Sequence, residues 1–322
     1  MTDESSEHDR PARSRRILRN VGTGAGLAVA AVIAFNPGDV LSRLPGSVEK
    51  TEKAAKAAKH HGQPPATFAH PFAGSPAEKY ADGAAGIVIP QAAPVGTLTK
   101  EQVADALELT KKFLVAANLD PAVIRGERPQ TAIDLVEPHQ KNTIADMSAS
   151  LASPDQKHDP LQFFSRFDPH EVRLAGGTVK THGRMTFEAG SKKGSVLIHS
   201  DFTFVYPVTK APTASKSANA SAKPPKPPKP SAEVARTVVR RVIDTEVFDP
   251  DHYTVAPGTV DLHSVQMNVG NTRCGVHDGF LHPHFRSEHR SAADKPSGEA
   301  VDPYDQSRQL PDSRQCNRTT RT

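Results

Sequence analysis

The chain has no tryptophan, only two cysteines among 322 residues, and aromatic side chains at only 5% of positions. Two cysteines cannot build a disulfide-dense scaffold or a cysteine zinc site. Charge of one sign is also lacking, because 40 Lys plus Arg face 36 Asp plus Glu for a net +4. With no stretch that interleaves basic and aromatic residues on one face, nucleic acid is not expected as a partner. Glycine-rich phosphate loops are missing, as is a G-x-S-x-G elbow. Gly176-Gly177 reads as a turn leading into a strand, and Gly22 to Gly26 lie inside an apolar run. No cofactor is expected, no catalytic residues are identified, and the reading leans away from an enzyme.

Long hydrophobic runs are lacking too, with one short exception near the start. Arg13, Arg15, Arg16 and Arg19 precede 15 uncharged residues, Val21 to Phe35, rich in Ala, Val and Gly. A basic flank before an apolar run orients a chain with its N-terminus in the cytoplasm and its C-terminus outside. The run is shorter than the roughly 20 residues needed to cross hydrocarbon. A retained single-pass anchor in the cell membrane and a cleaved signal that releases a secreted chain therefore both fit. Ser14-Arg15-Arg16 has the start of a twin-arginine signal, but Arg19 stands where that pattern takes an apolar residue.

Composition then divides the chain. Residues 1–16 form a basic cytoplasmic tail, 17–38 the anchor or signal segment, and 39–97 a tether whose Pro, Gly, Ala and Lys content offers little to bury. A folded domain is expected over 98–290, interrupted at 211–232 by the Pro/Lys stretch SAKPPKPPKPSAE, which favours extended polyproline geometry in a long hairpin insertion. Residues 291–322 form an irregular tail. Cys274 and Cys316 both lie beyond the export segment, so one disulfide is expected between them. It would close a loop of about 40 residues, clip the tail to the domain and contribute about 2–4 kcal/mol.

Inside the domain, Thr99 and Gln102 form a capping-box pattern, with Leu98 and Val103 as the hydrophobic staple. Apolar residues at helical spacing then predict a helix from Lys100 to about Asn118. Asp120-Pro121 starts a short second helix, and Thr131 to Val136 forms a third. After Pro169 the period becomes two. Val179 to Phe187 and Val196 to Tyr206 form a hairpin, and Val234 to Phe248 and Val260 to Val269 add further antiparallel strands. A phase change near Ser264 indicates a bulge. In the third strand Thr237, Val239, Ile243, Thr245 and Val247 share one face, and Arg236, Arg240, Asp244 and Glu246 are expected to face water on the other.

Helices followed by antiparallel strands predict an α+β fold, with N-terminal helices packed on a curved, cone-like antiparallel sheet. The order of elements over residues 98 to 270 resembles the nuclear-transport-factor-two-like, or cystatin-like, cone fold. The segment TRCGVHDGFLHPHF, Thr272 to Phe285, together with DPYDQSR, Asp302 to Arg308, resembles actinobacterial membrane-anchored proteins of unassigned function. That resemblance implies an envelope location and nothing catalytic.

His277, Asp278, His282 and His284 crowd the first of those segments, and imidazoles with a carboxylate are competent metal ligands. Against a metal site, Pro283 separates two of the histidines and no helix carries a pair four apart. His199 and Asp201 alternate to one strand face, where they form either an acid/base pair or a solvent-facing pair. The sequence thus predicts a membrane-anchored extracytoplasmic binding or assembly module of the cell envelope, with a membrane or envelope protein as partner. The alternatives are a carrier or enzyme that uses the cone interior, and a metal-binding histidine loop. Oligomeric state is not legible.

Overall fold

The computed structural model of the chain describes residues 65–212, 233–289, 298–310 and 317–322. The basic tail with Arg13, Arg15, Arg16 and Arg19, the apolar run, most of the Pro/Lys insertion and Cys316 lie outside these residues. No helix among the described residues is long and apolar enough to cross a membrane.

The described chain is mixed α/β, with a few helices and a mostly antiparallel sheet. Helix α1 is Lys100–Asn118, and the cap expected from sequence starts it: Gln102 N donates to Thr99 Oγ1 at 3.2 Å, and Thr99 N donates to Gln102 Oε1 at 2.8 Å. Two otherwise orphaned donors are satisfied reciprocally. Thr99→Ala is expected to cost about 1 kcal/mol in denaturant unfolding, with the m-value unchanged. Helix α2, Pro121–Ile124, begins where Asp120 accepts from Ala122 N. Helix α3 is Gln130–Asp134 and α4 is Lys141–Ala152.

The strands are β1 (Ala81–Asp82), β2 (Val172–Leu174), β3 (Lys180–Ala189), β4 (Ser195–Lys210), β5 (Ala235–Phe248) and β6 (Asp261–Gly270). They form one sheet in the order β1-β3-β4-β5-β6, with β2 on β4. Strands β4 and β5 pair from Ser195↔Phe248 to Val208↔Ala235, so the Pro/Lys insertion joins two antiparallel neighbours, as a hairpin connection must. A short parallel pair, β7 (Ala300–Val301) with β8 (Arg318–Thr319), lies apart from this sheet.

Alternation sends Val196, Ile198, Phe202, Phe204 and Tyr206 of β4 to one face, where they join Val239 and Ile243 of β5. The same core takes Val103, Leu107, Phe113 and Leu114 of α1 and Met147 of α4. One charged side chain breaks this apolar face: Arg241 stands opposite Phe202 and is only 1% exposed.

The other face of the sheet differs from expectation. Arg236, Arg240 and Glu246 are buried instead of facing water. Arg236 donates to the carbonyls of Ala73 at 2.9 Å and Thr322 at 2.6 Å. Arg240 forms a two-pronged pair with Asp201, both contacts at 2.8 Å, and donates to the carbonyl of Arg308 at 2.7 Å. Two straps, one before α1 and one at the C-terminus, therefore lie across this end of the sheet. Phe72, Ala77 and Tyr304 from the straps make a second small core with Val205 and Val238. Packing thus begins within the stretch expected to be tether, because a strap laid on a finished sheet needs no apolar stripe of its own. The DPYDQSR segment is part of the C-terminal strap.

Candidate functional site

A cleft of about 210 Å³ opens at the end of the sheet where α1 begins, between that helix and the loop joining β5 to β6. Leu98, Ala106, Leu109, Val196, Val247 and Val255 supply apolar wall. Among the described residues, five carboxylates line it, those of Asp105, Glu137, Glu246, Asp249 and Asp261, and no lysine or arginine does.

Three of these carboxylates are held by neighbouring donors. Glu246, fully buried, accepts from Ser191 N at 2.7 Å and from the Ser191 and Ser195 hydroxyls, and meets His263 Nε2 at 2.5 Å. Gly190 must be glycine here, because a Cβ would come within 2.3 Å of Glu246 Oε1 and 2.2 Å of Ser195 Oγ. His263 reaches Glu246 through the bulge expected near Ser264. The register passes from Asp244↔Ser264 to Thr245↔Leu262, which leaves His263 as the extra residue.

Glu137 accepts from Thr259 Oγ1 at 2.7 Å, Ala256 N at 2.9 Å and His139 Nδ1 at 2.6 Å. Burial pushes its carboxyl up, but these hydrogen bonds outweigh burial and hold it below the ordinary value. Asp249 accepts from Asp251 N at 3.1 Å, His252 Nδ1 at 2.9 Å and Gln102 Nε2 at 3.3 Å. The α1 cap therefore also fixes one wall of the cleft. The backbone N–H of Asp251 is the main reason that the Asp249 carboxyl sits below its ordinary value.

Asp261 differs. It is partly buried and lies within the electrostatic reach of His263 and Lys192. Burial pushes its carboxyl up; attraction from His263 and Lys192 works against the rise, and repulsion from Glu246 and Glu137 adds to it.

None of the candidate metal-ligating or acid/base residues named from the sequence lines this cleft. His282 sits across the molecule, 5% exposed, between Glu171 Oε2 at 2.7 Å and Asp278 Oδ1 at 2.9 Å. His277 Nδ1 lies 3.5 Å from Asp159 Oδ2, and His284 gives its carbonyl to Asn271 Nδ2 at 3.2 Å. Among the described residues no group of three or more His, Cys, Asp or Glu side chains is arranged to hold a metal ion. His199 and Asp201 share a face but form no pair. His199 bonds Asp244 at 2.7 Å and Glu188 at 3.2 Å, while Asp201 bonds Arg240. No free cysteine is found among the described residues, and the expected partner of Cys274 lies outside them.

Sequence reasoning missed Glu137, Asp249 and Asp261, which come from three separate segments. The one usable signal was the phase change at Ser264, since bulges gather beside functional sites. Comparison with protein-family models, with curated proteins and with solved structures found no match.

Proposed function

We propose that the chain is a membrane-anchored binding module of the cell envelope that takes a group of its partner into the cleft between α1 and the β5–β6 loop. The observation that carries this reading is the cleft itself, with apolar walls and carboxylates in its lining. Pockets of this composition favour binding: apolar surface supplies affinity and a few polar groups supply orientation. The cone interior is a poorer place for a ligand. Phe113, Phe202, Tyr206 and Arg241 fill it and are at most 1% exposed. The helices packed on one face of the sheet, and the bulge in β6, support a cone-like α+β architecture. The basic-then-apolar N-terminus supports an extracytoplasmic position for the domain, and a Cys274–Cys316 disulfide would fasten the C-terminal strap.

The test is site-specific photocrosslinking of the full chain in native membranes. A photoreactive phenylalanine analogue at Val255 in the cleft wall is expected to give a discrete adduct. The same analogue at Val88, which is 68% exposed on the surface, is expected to give none, and Ala106→Trp, which fills the cleft, should abolish the Val255 adduct. Equal adducts from both positions, or an adduct that survives the filled cleft, would show that the cleft is not the binding site.

A further inference from the structure

We infer that the outer edge of β6 docks a second copy of this chain, whose own β6 pairs with it antiparallel about a two-fold axis at Met267. The inference does not depend on the cleft. Strand β6 ends the sheet and pairs with β5 on one side only. Among the described residues, no backbone hydrogen bond other than those to β5 reaches residues 263–269. In an antiparallel pair alternate residues turn both N–H and C=O away from the partner strand, so this edge presents a row of donors and acceptors to a further strand. The open stretch has defined ends. At one, the Gln140 side chain answers Leu262 as a strand would, accepting from its N–H at 2.8 Å and donating to its carbonyl at 3.1 Å. At the other, Asn271 has a φ of 63° and turns the chain off the edge.

Two observations select a second copy as the occupant. Sheet edges are ordinarily blunted by charge, proline or cover. The opposite edge follows that rule: β1 covers Lys180 and Thr181 of β3, Gln306 donates to the His182 carbonyl at 3.1 Å, and the charged Arg184 and Glu188 follow along the strand. Residues 264–269 of β6 are Ser, Val, Gln, Met, Asn and Val, without charge or proline. Such an edge has no attraction for a charged partner. It is also its own complement. Val265, Met267 and Val269 stand opposite Ile243, Arg241 and Val239 of β5 and pack against the main core, while Gln266 and Asn268 lie on the other face. With the axis at Met267, Val265 meets Val269, Met267 meets Met267 and Gln266 meets Asn268. Apolar residues then oppose apolar ones and amides oppose amides, with no like charges across the pair. The same patch serves both copies, so the contact closes on itself and leaves no β6 edge open. The turn at Asn271 takes each chain away before it meets the Gln140 of its neighbour.

The experiment is oxidative crosslinking of full-length chains in native membranes. One chain carries Gln266→Cys, and a differently tagged, coexpressed chain carries Asn268→Cys. Directly opposed residues have Cα atoms about 4.5–5.5 Å apart, within disulfide reach, whereas two copies of residue 266 lie on a diagonal of about 7–8 Å. The mixed pair is therefore expected to give about fivefold more covalent dimer than either variant alone. Sedimentation velocity of the full chain in detergent micelles supplies the second readout. The double variant Gln266→Lys with Asn268→Lys opposes like charges across the axis and is expected to weaken self-association about tenfold, as is Gln266→Glu with Asn268→Glu. Mixing the two charged variants should restore the dimer, which also shows that both are folded. Equal crosslinking from the mixed and single variants overturns the register. A parent that sediments as a monomer, a dimer indifferent to the lysine pair, or charged variants that do not recombine overturns β6 self-pairing. A covalent adduct to a different protein in place of the second copy assigns the edge to another chain's strand and likewise overturns the inference.

Discussion

Arg241→Ala is expected to destabilise the domain by about 3–5 kcal/mol, the cost of leaving buried groups unpaired and a cavity behind. Arg241 is fully enclosed, yet it forms no ion pair among the described residues. Its Nε donates to Asn118 Oδ1 at 2.5 Å, Nη1 to the Gln162 carbonyl at 2.5 Å and Nη2 to Ser165 Oγ at 3.3 Å. Ser165 also donates to Asn118 Oδ1, and Tyr206 donates to the Asn118 carbonyl. The guanidinium therefore ties the end of α1 and the turn at Gln162 to the middle of the sheet. Burial pushes its pKa down to about 10, so it stays charged at neutral pH. For a domain of this size each kcal/mol moves Tm by about 2–4 °C, which puts the expected fall near 10 °C in a thermal melt followed by circular dichroism. Arg241→Met separates two accounts of the residue. Methionine fills the volume and removes the desolvated charge but leaves the Gln162 carbonyl without its donor. An intermediate Tm is expected. A Tm at or above the parent's would mean that the arginine is a net cost to stability and that the tie is not what holds α1 in place.

Arg241 also marks where the sequence stopped being readable. Helix α1 was legible because its cap is local: Thr99 and Gln102 lie three residues apart, and their pairing needs nothing from the rest of the chain. The β3–β4 hairpin was legible because a half-buried sheet imposes period two on Phe202, Phe204 and Tyr206. An arginine on that apolar face obeys no periodic rule, since only the positions of Asn118, Gln162 and Ser165 in space make it tolerable. Helix α4 escaped for the opposite reason, as it buries just Met147 and Ser150 and leaves a faint stripe. The straps escaped because composition reports whether a segment can build a core, not whether it can lie on one built by others. The cleft joins the first turns of α1 to Glu137 and to the β5–β6 loop, and no single window of sequence contains it.

The second large effect is a pH dependence centred on His282. Burial by itself lowers the pKa of this imidazole, but hydrogen bonds to Asp278 and Glu171 and attraction to both carboxylates outweigh burial and raise it above the ordinary 6.5. A basic group whose folded pKa is raised stabilises the fold while it is protonated in both states. The contribution is therefore complete below about pH 6.5 and is lost as pH rises through the higher folded value. Once neutral, the ring has one N–H, so it can donate to one carboxylate while its other nitrogen turns a lone pair toward the second. His282→Gln is expected to cost about 2 kcal/mol at pH 5.5, from the loss of charge-assisted hydrogen bonds, and clearly less at pH 8.5. His199 is also raised, burial being outweighed by Asp244 and Glu188. The parent's own pH profile thus mixes two histidines of the same sign, and the gap between parent and His282→Gln isolates one. Denaturant unfolding of both proteins at the two pH values measures that gap. If it is as large at pH 8.5 as at pH 5.5, His282 holds the 272–285 loop to Glu171 as a neutral hydrogen-bonding ring, and the charge on it contributes nothing to the fold.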